Sequence, residues 1–240
     1  MSLKKLQKYI DNPLEAPGGA SKKKAVILAD SRGRYIKCVS DTYQGSSDIL
    51  WVIKPGLKAI MAQRWLNQNI HSLTHSYGSL HFYFWFGTCD LTEKLDRQIN
   101  ISNNVEQSAN DLLDIYANLN EICCHTNCTF TLLEIPYYSI SIWNKGKLKI
   151  HDIPTTYTEQ DVALKTQIDR INCRIKEINK NNGYQSPVFN ADLEKSRKTK
   201  GKDVRYSTDL RMLQDGIHPN TLLSKAWIKS LMKIIYRDCY

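Results

Sequence analysis

Short runs of apolar residues without polar alternation constrain the fold of this chain more than any other feature. Residues 82–86 read Phe-Tyr-Phe-Trp-Phe, and shorter runs of the same kind lie at residues 25–28 and 49–53. A strand that is apolar on both faces has to be covered on both faces, which is typical of parallel sheets between two layers of helices. The sequence therefore predicts an α/β fold.

Helical periodicity separates these runs. One stripe of apolar residues, spaced three or four positions apart, comprises Leu164, Ile168, Ile171, Ile175 and Ile178. We predict strands near 25–29, 48–53, 80–86, 128–135 and 187–190, helices near 57–69, 102–124, 158–180 and 220–237, and a further short helix after Ser31. This alternation indicates a three-layer α/β/α sandwich, flavodoxin-like, with a central parallel five-stranded sheet.

The chain length fits one large domain. With 240 residues, a single α/β domain over residues 24–240 buries a core better than two small domains would. Residues 1–23 contain Asn12-Pro13, Pro17-Gly-Gly19 and the beginning of a lysine run, which are turn and linker signals. We therefore expect residues 1–23 to form a short helix and a flexible lead-in that lies outside the core.

The composition is that of a globular protein, with 42% hydrophobic and 24% charged residues. No apolar run reaches the roughly 18–20 residues needed to span a bilayer, and the first residues lack the apolar stretch of a secretory signal. Seven cysteines in a long chain favour reduced thiols over a disulfide framework. These features predict an intracellular protein, cytoplasmic or nuclear, without a membrane span.

A local group of Cys123, Cys124, His125 and Cys128 invites a zinc interpretation. Zinc sites usually combine a Cys-x₂₋₄-Cys pair with a second matching pair elsewhere, and no such pair is present. The favoured interpretation is a helix end followed by the first residue of a strand. We therefore expect no metal and no cofactor.

The formal net charge of +9 suggests an anionic partner, either nucleic acid or an anionic substrate, although solubility alone also explains it. One basic stretch precedes the C-terminal polar motif, and two further arginines follow the first strand. The candidate anion contacts are Arg32, Arg34, Lys195, Arg197, Lys198, Lys200, Lys202 and Arg205. A solvated loop is the alternative explanation for residues 195–205.

Four polar blocks follow predicted strands. Ser31 follows the first strand, Gly56 the second, Gly87-Thr-Cys-Asp90 the third, and Asp215-Gly-Ile-His218 the fifth. In an open parallel sheet the loops at the carboxyl ends of the strands form the binding site, so all four blocks can meet at one rim. A serine on a turn with an Asp-x-x-His segment is a pattern for nucleophilic catalysis. Taken singly, Ser31 could instead cap a helix, and the Asp-x-x-His segment could be a polar turn.

The order of these blocks resembles that of the SGNH (GDSL-type) hydrolase family over roughly residues 24–237. The resemblance implies that Ser31 is the nucleophile, His218 the base and Asp215 the orienting acid. It further implies an oxyanion hole formed by Ser31, Gly56 and the position of Cys89. Supporting roles would fall to Asp30, Gly87 and Asp90.

The chain departs from the family pattern at two positions. Ala29 stands where the family has glycine before Asp-Ser, and Cys89 stands where it has asparagine. A thiol is a weaker hydrogen-bond donor than an amide, and loss of one oxyanion donor costs about 10²–10³ in rate. Cys89 therefore bears directly on catalysis.

Two functions remain open at this point. The first is hydrolysis of a small ester, neutral or anionic, through an acyl-enzyme on Ser31. The second is a catalytically degenerate SGNH-like domain of mobile-element origin that binds nucleic acid, in particular RNA, through its basic loop. The acyl and alcohol parts of a substrate and the oligomeric state are not encoded in any recognisable pattern.

Overall fold

The structure, a computed structural model, describes residues 2–126, 128–197 and 205–240. Its strands are β1 (Lys24–Ala29), β2 (Leu50–Ile53), β3 (Leu80–Trp85), β4 (Thr92–Leu95), β5 (Gln98–Ile101), β6 (Cys128–Leu132), β7 (Glu194–Arg197) and β8 (Arg205–Thr208). Its α-helices are α1 (Leu3–Asp11), α2 (Arg32–Lys37), α3 (Ala59–Tyr77), α4 (Thr88–Leu91), α5 (Val105–Cys124), α6 (Ile140–Leu148), α7 (Thr155–Asn181), α8 (Asn190–Leu193) and α9 (Thr221–Cys239).

The central sheet is parallel, with strand order β2-β1-β3-β6. Every residue of β3 is buried, and so are the last five of β1, because helices cover both faces of the sheet. Helices α1 and α2 pack on α9, while α5 packs on α3 and α7. The predicted three-layer α/β/α architecture is therefore confirmed.

The predicted strand near residues 187–190 is wrong, and within the described residues the central sheet has four strands. Proline lacks the amide hydrogen that a sheet ladder needs, and Pro187 interrupts this segment. Asparagine side chains of α7 occupy the outer edge instead. Asn179 binds both the amide and the carbonyl of Leu132, at 2.9 and 2.7 Å, and Asn172 does the same for Ile135, at 2.8 Å for each bond.

The N-terminal helix α1 packs on α9, and its Leu6 is completely buried in the core. The ammonium group of Lys229 donates hydrogen bonds to the carbonyls of Tyr9 and Asn12, and the Tyr9 hydroxyl lies 2.9 Å from Ser230 Oγ. The prediction that residues 1–23 lie outside the core is therefore wrong for Leu6. Residues 24–240 remain the proposed hydrolase-like domain, with α1 packed against it.

An antiparallel hairpin, β4–β5, follows α4 and was not predicted. Its two-residue turn begins at Asp96, whose φ of 53° suits a tight hairpin turn. The side chain of Asn144 in α6 accepts from the amide of Ile99 at 2.8 Å and donates to its carbonyl at 2.7 Å. The hairpin is thereby fixed to α6 beside the carboxyl ends of the central strands.

Two glycines permit close packing around the polar blocks. A Cβ atom at Gly33 would lie 2.7 Å from the Cβ of Ala29, so α2 approaches β1 closely only because residue 33 has no side chain. Gly87 has a φ of 120°, and a Cβ there would lie 2.4 Å from Ile135. Both positions therefore require glycine.

The Cys123–Cys128 region matches the favoured interpretation, because α5 ends at Cys124 and β6 begins at Cys128. Searched over the part of the chain that is described, no helix combines the length and the apolar character needed to cross a membrane.

Candidate active site

Ser31 lies between β1 and α2, at the N-cap position of α2, with φ and ψ of −58° and −25°. Its hydroxyl makes no capping hydrogen bond. The carboxylate of Asp30 accepts from the Arg32 amide instead, at 2.9 Å. Ser31 Oγ lies 2.8 Å from Nε2 of His218. The hydroxyl is therefore directed to the imidazole and not to the helix.

His218 lies on a loop closed by its own backbone. Leu213 pairs with Pro219 in an isolated bridge, and the amide of Gln214 donates to the carbonyl of His218 at 2.9 Å. The following helix is capped by Asn220, whose side chain accepts from Leu223 at 3.0 Å. The helix thus has its own cap, and the imidazole is free for other contacts.

The carboxylate of Asp215 orients the imidazole. Its Oδ1 accepts from the amides of Ile217 and His218, at 3.0 and 2.8 Å, and its Oδ2 lies 2.7 Å from His218 Nδ1. An Nδ1–H that donates to the carboxylate leaves Nε2 to accept from Ser31. Sequence spacing of three residues and one tight turn are enough to bring the acid to its imidazole.

Burial raises the pKa of Asp215, but the hydrogen bonds from the His218 ring and from the backbone amides of His218 and Ile217 outweigh it. The net effect lowers the pKa of this carboxyl below its usual value. Asp215 is therefore charged at neutral pH and can stabilise a positive imidazolium.

The histidine loop is held against α6 by Gly216. The amide of Ser139 donates to the Gly216 carbonyl at 2.9 Å. Gly216 has a φ of 87°, and a Cβ there would lie 2.9 Å from the Cβ of Ile142. The amide of Ile140, in the first turn of α6, donates in turn to Asp161 of α7 at 2.6 Å. These contacts fix the loop that carries His218.

Two aromatic residues that the sequence analysis missed flank the imidazole. Tyr35 stacks on His218 with ring centroids 4.8 Å apart, and Trp143 lies at 6.1 Å. Tyr35 follows Ser31 by four residues, so helical spacing could have placed it beside the serine. No sequence pattern points to Trp143, because α6 brings it in from a distant part of the chain.

Arg32 is not available to an anionic partner, which corrects the prediction made for it. Its side chain is 1% exposed, and Nε and Nη2 donate to the Asp30 carboxylate at 3.1 and 2.7 Å. The same group lies 5.5 Å from the centre of the Trp85 ring. Asp30 thus binds both the backbone and the side chain of the residue that follows Ser31, and its supporting role stays a prediction. Arg34, two residues further on, is exposed.

The basic stretch before the His218 loop is described only at its ends. Lys195 forms an ion pair with Asp209, which also binds Arg211 at 2.8 Å. Residues 197 and 205 pair in the β7–β8 ladder, and their side chains are not described. The remaining predicted contacts, Lys198, Lys200 and Lys202, lie outside the described residues.

Gly56 and Cys89 line the same cavity as Ser31 and His218. Gly56 has a φ of 77° in the turn after β2. Within the described chain, the amides of Ser31 and Gly56 donate no hydrogen bond to another protein group. Burial raises the pKa of the Cys89 thiol to about 11, so this group is a neutral thiol at physiological pH.

Asp90 connects the second and third polar blocks. Its Oδ1 accepts at 2.9 Å from the amide of Ala59, the first residue of α3, which follows the Gly56 turn. Burial raises its pKa to about 6, although the hydrogen bond from Ala59 and the nearby charge of Lys58 lower it. Asp90 is thus placed to hold the Gly56 turn next to Cys89.

The cavity at Ser31 has a volume of about 760 Å³. Besides the residues above, it is lined by Pro55, Lys58, Thr88, Thr92, Glu93, Lys94, Leu95, Ile99, Trp143 and Ile217. Over the described ranges, no group of three or more His, Cys, Asp or Glu side chains is placed to hold a metal ion. The described residues place a hydroxyl beside an imidazole and its carboxylate, together with two backbone amides that have no hydrogen-bond partner among them.

No family model and no curated protein sequence matches this chain. Solved structures do. A candidate acylhydrolase from Bacteroides fragilis superimposes with a TM-score of 0.60 at 11% identity, covering 98% of this chain and 96% of that one. A GDSL-like lipase from Bacteroides thetaiotaomicron gives 0.57 at 13% identity, covering 96% of each chain. A lipase/acylhydrolase from Enterococcus faecalis gives 0.51 at 15% identity, covering 91% and 97%.

These likenesses extend over nearly the whole of each chain, and at this level of identity they show the fold. The fold is that of the SGNH, or GDSL-type, hydrolases. The similar structures include a GDSL-like lipase and a candidate SGNH hydrolase. The predicted resemblance is therefore confirmed for the architecture.

Proposed function

We propose that this protein is a serine ester hydrolase of the SGNH type that works through an acyl-enzyme on Ser31. The observation that carries the proposal is the continuous chain from Ser31 Oγ to His218 Nε2, at 2.8 Å, and from His218 Nδ1 to Asp215 Oδ2, at 2.7 Å. Nucleophile, base and orienting acid within hydrogen-bonding distance are the arrangement that acyl transfer requires.

In the first step, Ser31 Oγ attacks the ester carbonyl carbon and His218 Nε2 takes its proton. The carbonyl oxygen becomes an oxyanion, for which the amides of Ser31 and Gly56 are the donors. The intermediate collapses when His218 gives the proton to the leaving alcohol, and Ser31 keeps the acyl group. Water, deprotonated by His218, then releases the acid and restores Ser31.

Cys89 supplies less to the oxyanion than the asparagine of the family pattern would. Its thiol is neutral, since its pKa is raised to about 11, and a neutral thiol is a weak donor. Oxyanion stabilisation is usually a large part of catalysis by such enzymes. We therefore expect acylation and deacylation both to be slow, with Ser31 still activated by His218.

The test is covalent labelling with a fluorophosphonate probe, which reacts with activated serines. Wild-type protein should be labelled, and Ser31→Ala and His218→Ala should not. Ser72→Ala, an exposed serine on α3, is the matched control and should be labelled like the wild type. Wild-type labelling no stronger than that of Ser31→Ala would refute the proposed function.

Nucleic-acid binding stays a prediction that no described contact favours, because Arg32 is buried in an ion pair and Lys195 is paired with Asp209. Binding of RNA or DNA that weakens steeply with salt would support it. Preference for an anionic ester and an intracellular location also stay predictions. Lys58 and Lys94 line the cavity, but Glu93 lines it beside them.

A further inference from the structure

The cavity beside Ser31 is much larger than a small acyl group needs. Its volume is about 760 Å³. An acetyl group has two carbon atoms and takes roughly the space of two or three water molecules, each of which occupies about 30 Å³ in the liquid. An acetyl group by itself would therefore fill only a small part of this cavity.

The cavity wall is rich in apolar side chains that come from separate parts of the chain. Pro55 follows β2, Leu95 and Ile99 belong to the hairpin, Trp143 lies on α6, and Ile217 precedes His218. Leu95 at the hairpin turn is 53% exposed, so its side chain is accessible to a ligand in the cavity. Apolar side chains that converge on a cavity are typical of sites that take an apolar ligand.

The hairpin is a fixed wall. Besides the two bonds between Asn144 and Ile99, the amide of Ile101 donates to Gln160 at 2.9 Å, and the Tyr157 hydroxyl donates to Gln98 at 2.8 Å. Both partners, Gln160 and Tyr157, lie on α7. A wall anchored to two helices is organised before a substrate arrives, which lowers the cost of ordering it on binding.

The position of the hairpin assigns it to the acyl side of the site. Strand β4 continues directly from α4, which carries Cys89, so the hairpin borders the oxyanion side. The alcohol must leave where His218 can protonate it, and one face of that ring is covered by Tyr35. In the proposed acyl-enzyme the acyl group is bonded to Ser31, and the cavity between these two sides is the space open to it.

We propose that the site takes esters with an apolar acyl group of medium length, roughly six to ten carbon atoms, and that the β4–β5 hairpin determines this preference. Leu95 is the specificity-determining residue that contacts the distal part of the acyl chain. The proposal rests on the proposed function, because it concerns the substrate of the same serine.

The experiment measures kcat/KM for p-nitrophenyl esters from acetate to dodecanoate. We expect kcat/KM to rise about two- to threefold with each methylene up to hexanoate or beyond, because each buried methylene contributes binding free energy. Leu95→Ala should lower the octanoate-to-acetate ratio about fivefold. Leu95 is exposed, so this change should leave the fold intact. Val162→Ala changes another exposed apolar residue, on α7, and is the control that should keep the wild-type ratio.

A second series of acetate esters with alcohols of increasing length separates the two sides of the substrate. The proposal would be overturned if kcat/KM depended on chain length only in the alcohol series, or if it were highest for the acetyl ester. It would also be overturned if Leu95→Ala had the same octanoate-to-acetate ratio as wild type. If turnover is too slow to measure, labelling rates with fluorophosphonates that carry alkyl chains of increasing length, and that lose fluoride when Ser31 attacks phosphorus, give the same comparison. Normal fluorophosphonate labelling with no length preference would refute only the acyl preference, whereas absent labelling would refute the hydrolase itself.

Discussion

Backbone polar groups have opposite surroundings at the carboxyl-end rim, which carries Ser31, Gly56 and His218, and at the outer edge of β6. At the rim, the amides of Ser31 and Gly56 have no partner among the described residues, and the side chains of Ser31, His218 and Asp215 bind one another. At the β6 edge, asparagine side chains of α7 bind the amides and carbonyls of the chain from residue 132 to 135. The rim thus retains donors for a ligand, while the edge is closed to another strand.

The half-buried carboxylate of Asp215 at the rim and the buried carboxylate of Glu134 near the β6 edge also differ. At the rim, hydrogen bonds outweigh burial and lower the pKa of Asp215. Near the β6 edge, burial raises the pKa of Glu134 to about 7, and Lys176, at 3.6 Å, only partly offsets it. The rim stabilises a charge that the proposed chemistry needs, whereas the edge tolerates a charge that destabilises the fold.

The largest expected effect is a loss of activity when the hydrogen bond between Asp215 and His218 at the rim is removed. Asp215→Asn should lower kcat by about 10³–10⁴, because the amide no longer holds the imidazole in the required tautomer or stabilises its charge. The melting temperature should change by only a few degrees. Ester turnover and thermal unfolding of the same preparations measure both. A tenfold loss or less would mean that Asp215 does not orient the base.

Removing the asparagine side chain that binds the β6 edge should lower stability and leave activity unchanged. Asn179→Leu leaves the buried amide and carbonyl of Leu132 without partners and should cost about 3 kcal/mol in the free energy of unfolding, measured with urea. Asn181→Leu, at the exposed end of the same helix, is the control and should cost little. The folded Asn179→Leu protein should keep its kcat, and a selective loss of kcat would contradict the separation of the two regions.

Restoring the asparagine of the family pattern at residue 89 should change activity by less than Asp215→Asn does, and in the opposite direction. Cys89→Asn should raise kcat/KM at least about tenfold by adding an amide donor to the oxyanion hole, and Cys89→Ser should fall between asparagine and wild type. Ester hydrolysis at neutral pH measures this series. No change, or a fall, would place the thiol away from the oxyanion.

The smallest effect concerns pH. The pKa of Glu134 is about 7 in the fold, above its usual value of 4.5, so the protein is most stable when this group is protonated and loses that stability as pH rises through 7. Glu134→Gln should therefore exceed wild type in unfolding free energy by at least about 1 kcal/mol at pH 8 and match it at pH 4. Glu177→Gln changes an exposed residue on α7 and is the control. Its unfolding free energy should stay close to that of wild type at both pH values. A pH-independent difference for Glu134→Gln would refute this assignment.

Much of the fold and of the candidate site could be predicted from local patterns. The continuous apolar runs marked β1, β2 and β3, because strands covered on both faces have no polar alternation. The Asp-x-x-His spacing predicted the Asp215–His218 pair, since a turn of three residues brings the two side chains together. The strand after residue 186 was predicted wrongly, because the asparagines that replace it lie within a helix and resemble its ordinary polar positions.

Other parts depend on contacts between distant residues. The sequence shows Arg32 as a charged residue after a strand, and only packing against Trp85 and Asp30 reveals that it is buried. Trp143, the β4–β5 hairpin and the cavity they enclose are formed by segments that no local pattern connects.

The sequence by itself determined the layered α/β class, the order of the polar blocks and the pairing of Asp215 with His218, because each depends on hydrophobic periodicity or on a short turn. Only the tertiary structure decided that Ser31 bonds the imidazole instead of capping α2, that asparagines close the sheet, and that apolar side chains from separate segments line one broad cavity with charged ones. These features arise when residues far apart in the chain come within a few ångströms, and their energies depend on burial and geometry that a linear pattern does not carry.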